Sequence, residues 1–297
     1  EFRRVLFRSV PHKDNVAYFG DGENEAQMVY QFSLPPLVLH AVHCQDVRTL
    51  SQWAASLTLP STKTTWFNFL ASHDGIGLNP LRGILPEPEI LSLVEKLQAE
   101  GALVNWKNNP DGTRSPYEIN VTYLDALSTR NSPDSQRIAR FILAHAVLLS
   151  FPGVPAVYIQ SILGSRNDYA GVERLGYNRA INREKYTAGQ IDSELEDKNS
   201  LRSQVYCSLS QLIALRRAEK AFHPDSEAYF SASGEHVLKI VRVAGCGEKI
   251  TALFNFSDSI QTVESDIQSG NDLITGNDIT DKKLTLHPWQ VLWIKEN

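Results

Sequence analysis

The sequence predicts an α/β chain of alternating strands and helices that ends in a small all-β domain. Three observations carry this. A short apolar run over residues 66–71 reads as a buried strand, and it stops in Ser72-His73-Asp74-Gly75-Ile76-Gly77: a small residue, an imidazole, a carboxylate and two glycines. Apolar residues recur at three- and four-residue spacing over 46–57, 134–150 and 199–220, the mark of amphipathic helices. After residue 221 the composition changes to short alternating or apolar runs separated by Gly, Asn and Asp.

Taken in order, residues 1–9 (Glu-Phe-Arg-Arg-Val-Leu-Phe-Arg-Ser) differ from the rest and have the look of translated linker or adapter sequence. They lack the apolar core and small-residue cleavage site of a signal peptide and are set aside from the fold. Val10-Pro11-His12-Lys13-Asp14-Asn15 has the composition of a polar turn. A strand is expected over 29–32, and Pro35-Pro36 is expected to stop any continuous helix, leaving an irregular apolar segment. In the helix over 46–57, Val47, Leu50, Trp53, Ala54 and Leu57 share a face. The strand over 66–72 follows.

Residues 78–130 read as an insertion. Pro86-Glu87-Pro88-Glu89 starts a helix that runs to about residue 98, with Ile90, Leu93, Val94 and Leu97 on one face. Residues 103–107 and 115–123 are strands about an Asn108-Asn109-Pro110-Asp111-Gly112 turn, hence a hairpin. Long loops of this kind after a barrel strand usually shape acceptor specificity, and Arg82, Trp106, Asn108, Tyr117, Glu118 and Asn120 are the polar and aromatic groups available for that, with solvated loop decoration as the competing reading. His145, on the apolar face of the helix over 134–150, reads as a hydrogen-bonded core histidine. Beyond residue 222, strands are expected over 236–243, 250–256 and 288–294; residues 258–286 are polar, turn-rich and without evident chemistry.

The chain has 297 residues and a formal charge of -5, which argues against a general nucleic-acid binder, and it carries no polybasic run that would suggest a membrane partner. Its longest apolar stretch, over 141–157, is broken by His145, Pro152 and Pro155 and is too short to span a bilayer. Three cysteines without metal or redox spacing read as unpaired thiols in a reducing cytoplasm. His40 and His43 lie three apart but no carboxylate or cysteine completes a metal set, and no P-loop or dinucleotide fingerprint is present. Neither a metal nor a cofactor is therefore expected.

A strand that ends in His-Asp-Gly is how a (β/α)8 barrel delivers chemistry, because reactive groups sit at the C-terminal ends of its strands. Asp-Gly is also a common turn dipeptide, so turn capping is the competing reading. The segment Phe69-Leu70-Ala71-Ser72-His73-Asp74-Gly75-Ile76-Gly77 resembles the third catalytic segment of the α-amylase superfamily (glycoside hydrolase family 13), and within it the sucrose phosphorylase-like subfamily. Pro152-Gly153-Val154-Pro155-Ala156-Val157-Tyr158 resembles the eighth barrel strand of that superfamily. Gly164-Ser165-Arg166-Asn167-Asp168-Tyr169 and Gly176-Tyr177-Asn178-Arg179-Ala180-Ile181-Asn182-Arg183 resemble its mobile acceptor loop.

The resemblance implies the C-terminal half of a (β/α)8 barrel, strands six to eight, over 10–221, and a C-terminal β domain over 222–297. It implies that Asp74 stabilises an oxocarbenium-like transition state with His73 beside it, that Asp168 touches donor or acceptor, and that His12 lies in the loop after strand five. Arg166, Arg179 and Arg183 are candidates for binding phosphate or carboxylate, and equally for structural ion pairs. The family's acid/base glutamate would align near Phe7, and its nucleophile earlier still, so neither is expected in this chain, which is expected to be inactive by itself. The implied reaction is reversible phosphorolysis of an α-glucoside to α-glucose 1-phosphate, with inorganic phosphate as co-substrate. Glucosylglycerate is favoured because Asn79-Pro80-Leu81-Arg82-Gly83 and the long insertion look like the glucosylglycerate and sucrose 6-phosphate phosphorylase branch. Sucrose, its 6-phosphate, a hydrolase or transglucosylase of the same fold, and a non-catalytic module remain alternatives. The oligomeric state is left open.

Overall fold

The computed structural model describes residues 10–297 and the backbone of Val5 and Leu6; the rest of the 1–9 segment, Phe7 included, lies outside the described residues. The first half runs β1 (Val5–Leu6), α1 (His12–Val16), β2 (Met28–Tyr30), α2 (Leu34–Cys44), α3 (Arg48–Ala55), β3 (Thr65–Phe69), β4 (Ile76–Gly77), α4 (Glu87–Ala99), β5 (Leu103–Asn108) and β6 (Arg114–Asn120). It continues through α5 (Tyr123–Ala126), α6 (Asp134–Ser150), β7 (Val154–Ala156), α7 (Ile159–Ile162), α8 (Tyr169–Leu175), α9 (Ala188–Glu196) and α10 (Leu201–Ala218). Then come strands alone, apart from one short 3-10 turn: β8 (Glu227–Ser233), β9 (Val237–Val243), β10 (Lys249–Asn255), β11 (Gln261–Glu264), β12 (Gly270–Asp272), β13 (Asp278–Ile279), β14 (Lys283–Leu286) and β15 (Val291–Glu296).

Strands β1, β2, β3 and β7 form one sheet in that order, every pair parallel, because helical segments carry the chain back between them. This is the open, four-stranded arc of a barrel. The two residues of β1 belong to the segment set aside on sequence, yet Val5 and Leu6 pair with Met28 and Val29. Period-two alternation puts Tyr30, Phe67 and Phe69 together on one face, with Tyr30 and Phe67 ring centroids 4.5 Å apart, while Val29 and Trp66 bury the other face against Phe19 and Ala26.

Pro35-Pro36 does not stop a helix here. Both prolines stand in the first turn of α2, where backbone N–H groups have no intrahelical acceptor and a fixed φ is no cost. Helix α2 is buried from Leu34 to Val42, and that burial in the core overrides the breaker signal.

Helices α6 and α10 pack together and α6 ends buried at Ser150, which leaves its last carbonyls without water. Two arginines satisfy them. Arg216 of α10 donates to Leu149 O (2.6 Å) and Gly153 O (3.1 Å), and Arg242 of β9 donates to Ser150 O (2.9 Å), Phe151 O (3.0 Å) and His223 O (2.7 Å). Burial lowers the Arg216 pKa to about 10; burial and then the neighbouring Arg216 charge lower that of Arg242 to about 9. These bonds tie the C-terminal strands to the barrel helices.

The antiparallel sheet β13-β12-β15-β10-β9-β8 is covered on both faces. Leu238, Ile240, Ala252, Phe254 and Trp293 join the main core, while Val237, Leu253, Leu292 and Ile294 meet Val263, Leu284 and Leu286 of the β11–β14 ribbon. Strand β8 is absent from the sequence reading because only Ala228, Phe230 and Ala232 alternate there among polar residues, and it is packing of Phe230 on Phe151 that orders it.

Candidate functional site

The chain leaves β3 at Phe69, and residues 70–75 form the loop that carries His73 and Asp74. It re-forms as β4, which pairs with β6 of the insertion: Ile76 faces Ile119 and Gly77 faces Glu118. The expected hairpin is therefore one part of a three-stranded sheet whose third member is the motif's own continuation. This register brings Glu118, 3% exposed, beside Gly75, whose backbone N–H donates to Glu118 Oε1 (2.7 Å). A β-carbon at position 75 would lie 2.5 Å from that oxygen and 2.7 Å from Ile119 O, so the glycine is sterically required.

From the other side comes the 3-10 turn Asn178–Asn182 with Arg183 after it. Arg179 donates through Nε to Glu118 Oε1 (2.8 Å), through Nη2 to Glu118 Oε2 (3.0 Å) and through Nη1 to Asp74 Oδ1 (2.7 Å). Its pKa is raised, chiefly by the bond to Glu118. Arg183 donates through Nε to His73 O (2.6 Å) and reaches Asp74 Oδ1 at 3.4 Å. Asn182 Nδ2 bonds Ser72 O (3.1 Å) and Asp74 O (3.0 Å), and the Asp74 N–H donates to Ser72 Oγ (3.1 Å). Tyr158, after β7, donates to Asn182 O; burial raises its pKa, with the Arg183 charge opposing. Asp74 is thus fixed at backbone and side chain, with an exposed His73 Nε2 3.7 Å from its Oδ2.

Asp74, Glu118 and Arg179 line a cavity of about 250 Å³ whose other walls include Phe32, Phe69 and Tyr117, residues at the C-terminal ends of β2 and β3 and on β6. Two carboxylates and one guanidinium on the wall of a cavity that also has aromatic walls suit a polyhydroxylated ligand that develops positive charge.

Of the residues singled out on sequence, the structure brings Asp74, His73, Arg179 and Arg183 together. Of these four, Asp74 and Arg179 line the cavity; His73 and Arg183 do not, nor do Arg166, Asp168 and His12. Arg166 Nε is 2.5 Å from Asp125 Oδ1, which also receives Arg137 Nη1 at 3.0 Å, an ion-pair cluster beside α5 and α6. Asp168 caps α8 by accepting the Gly171 N–H (2.7 Å). His12 sits in α1 with its ring against Trp53 and Trp66, and burial lowers its pKa. Glu118 and Asn182 are the members that motif reading does not assign to the Asp74 group. On sequence Glu118 stands only among the hairpin's groups available for acceptor specificity, and Asn182 only within the loop motif; neither is tied to Asp74 by any local signal.

In fold this is a segment of a (β/α)8-type barrel followed by an all-β sheet. The chain superimposes with a TM-score of 0.73 and 20% identity on sucrose 6F-phosphate phosphorylase from Thermoanaerobacter thermosaccharolyticum, over 96% of this chain and 52% of that one. In sequence it is 67% identical to a glucosylglycerate phosphorylase of Escherichia coli K12, over 97% of this chain and 51% of the relative. It is 44% identical to a glucosylglycerate phosphorylase of Allomeiothermus silvanus, over 96% and 50%. No protein-family model matches the chain. In sequence the chain is thus similar to glucosylglycerate phosphorylases and, further out, to sucrose phosphorylases, and in fold to enzymes of glycoside hydrolase family 13. It spans about half the length of the curated relatives it matches.

Proposed function

We propose that the protein to which this chain contributes transfers glucosyl between an α-glucoside and inorganic phosphate with retention, releasing α-glucose 1-phosphate, and that glucosylglycerate is its donor. One observation carries the reaction class: Asp74 is held by Arg179 and Arg183 at a cavity on the C-terminal end of the strand sheet, where barrel enzymes do their chemistry. The names of the relatives at 67% and 44% identity support the choice of donor.

Retaining transfer needs a carboxylate nucleophile and a carboxylic acid on either side of the glycosidic bond. In this reading both come from the part of the protein that this chain does not span. The nucleophile attacks C1 while the acid protonates the departing glycerate oxygen; a phosphate oxygen then attacks C1 of the β-glucosyl ester, frees the nucleophile and returns a proton to the base. Asp74 contributes a carboxylate whose attraction for the sugar grows as positive charge develops, and this raises kcat and not only binding. Arg179 is engaged through Nε, Nη1 and Nη2 by Glu118 and Asp74. Arg183 is held only through Nε by His73 O and, at 3.4 Å, through Nη2 by Asp74, so among the loop's arginines Arg183 is the one we assign to phosphate or to the glycerate carboxylate. Phosphate enters as co-substrate, and no cofactor is invoked.

Among the described residues no helix is long and apolar enough to cross a membrane. A cytoplasmic location is part of the proposal, supported by three free, exposed cysteines: Cys44, Cys207 and Cys246.

The test is to incubate the full-length protein with phosphate and glucosylglycerate, sucrose or sucrose 6-phosphate and to measure α-glucose 1-phosphate against free glucose. Phosphate ester from glucosylglycerate is expected. Free glucose alone from every donor would overturn the phosphorylase reading in favour of a hydrolase.

A further inference from the structure

We propose that Glu118 is a positioning residue for Asp74, acting through Arg179; this rests on the reading of Asp74 as the carboxylate that stabilises the transition state. Glu118 belongs to the insertion, not to the barrel, and its carboxylate is buried. Both oxygens are committed: Oε1 to the Gly75 N–H and Arg179 Nε, Oε2 to Arg179 Nη2 and, at 3.4 Å, to Asn105 Nδ2. Asn105 is itself held by Asn178 (2.7 Å), next to Arg179. A guanidinium is planar and rigid, so when Glu118 grips its Nε and Nη2 edge the orientation of the whole plane is set, and in that orientation Nη1 meets Asp74 Oδ1.

The charges give the arrangement its chemical consequence. Asp74 and Glu118 face Arg179 and Arg183, two anions against two cations. Without the Glu118 charge, Arg179 would serve Asp74 alone, and the cluster would present a surplus positive charge to a sugar that turns cationic at the transition state. Glu118 keeps Arg179 shared, so Asp74 is oriented without being neutralised. The loss on removing that charge falls on the transition state, where the glucosyl ring is cationic, and spares the ground state, where that ring carries no charge.

The experiment uses Glu118→Gln in the full-length protein, with thermal unfolding to verify folding. Turnover is followed as α-glucose 1-phosphate, and affinity is measured for glucose, which is neutral, and for 1-deoxynojirimycin, a cationic iminosugar. The expected result is that kcat and kcat/KM fall together by about 10- to 100-fold, the scale of one charge-assisted hydrogen bond. Iminosugar affinity should fall by a similar factor and glucose affinity by less than about threefold. A purely structural role would weaken both ligands alike, and that result, or an unchanged kcat, overturns the proposal. Should Glu118→Gln fail to fold, Arg179→Lys decides the positioning, since it keeps the charge but cannot make the fork: a comparable fall in kcat supports the proposal, and wild-type behaviour overturns it. Absence of transfer by the wild type with any donor overturns the functional reading and this proposal with it, whereas an active wild type with an indifferent Glu118→Gln overturns this proposal alone.

Discussion

Arg179 Nη1 lies 2.7 Å from Asp74 Oδ1 although the two residues are 105 positions apart, and the same guanidinium grips Glu118. The bond joins the loop after β3 to the loop after β7, so the geometry of Asp74 depends on two separate βα connections and on the insertion between them. Displacement of any of the three is transmitted to one carboxylate.

Asp74→Asn in the full-length protein keeps the shape and removes the charge. We expect kcat for α-glucose 1-phosphate formation to fall by about 10²–10³-fold, the effect of deleting one preorganised electrostatic group, with a much smaller change in donor KM. Steady-state kinetics with glucosylglycerate and phosphate check this.

Gly75→Ala places a methyl 2.5 Å from Glu118 Oε1 and 2.7 Å from Ile119 O. The backbone oxygen cannot yield without opening the β4–β6 pairing, so denaturant unfolding should show a loss of about 1–3 kcal/mol, as overpacking commonly costs. Activity should drop in parallel, because the Gly75–Glu118 bond goes with it.

Asp168→Asn separates two roles. Asparagine caps a helix about as well as aspartate, so unfolding stability should change by less than about 0.5 kcal/mol. If Asp168 also touches substrate, as the family resemblance implies, KM for the donor should still rise by about tenfold, the worth of one hydrogen bond to a charged group. An unchanged KM would leave capping of α8 as its whole task.

Arg166 and Arg183 should part company. Arg166 is half exposed and paired with Asp125, so Arg166→Gln should move phosphate KM by less than about twofold and stability by up to about 1 kcal/mol. Arg183→Gln should raise phosphate KM by about tenfold or more, because a charge-assisted contact to the oxyanion is lost. Initial rates over a phosphate series distinguish them.

His145, fully enclosed in α6 with Nδ1 at 2.9 Å from Phe141 O, has its pKa lowered to about 4 by burial against an ordinary 6.5. Between those values the unfolded chain binds the proton and the folded one does not, so stability is full above pH 6.5 and falls as the pH drops toward 4. The loss due to this group is about 3 kcal/mol in scale. Urea unfolding at pH 7 and pH 4.5 should show it, and His145→Gln should flatten that difference.

Much of this was legible because it is local. Helices α4, α6 and α10 follow from apolar spacing, and strand β3 from an apolar run that ends in small and polar residues. The core role of His145 follows from its place on an apolar face. The proline pair in α2 misleads because a breaker signal holds only in a helix interior, and nothing local says that the helix begins one residue before it. Strand β8 and the ribbon strands β11 and β14 are too polar for alternation to stand out, and they form because the neighbouring sheet offers an edge and a face.

The sequence by itself determined that Asp74 stands at the end of a barrel strand, beside His73 and before glycines that let the chain turn. Only the tertiary structure decided which groups hold that carboxylate. Among the arginines that spacing leaves equal, Arg179 and Arg183 meet Asp74 and Arg166 meets Asp125; Glu118 enters through the register of β4 on β6. The physical reason is range: periodicity reports which face of an element is buried, whereas a salt bridge is fixed by how distant loops come together once those faces have packed.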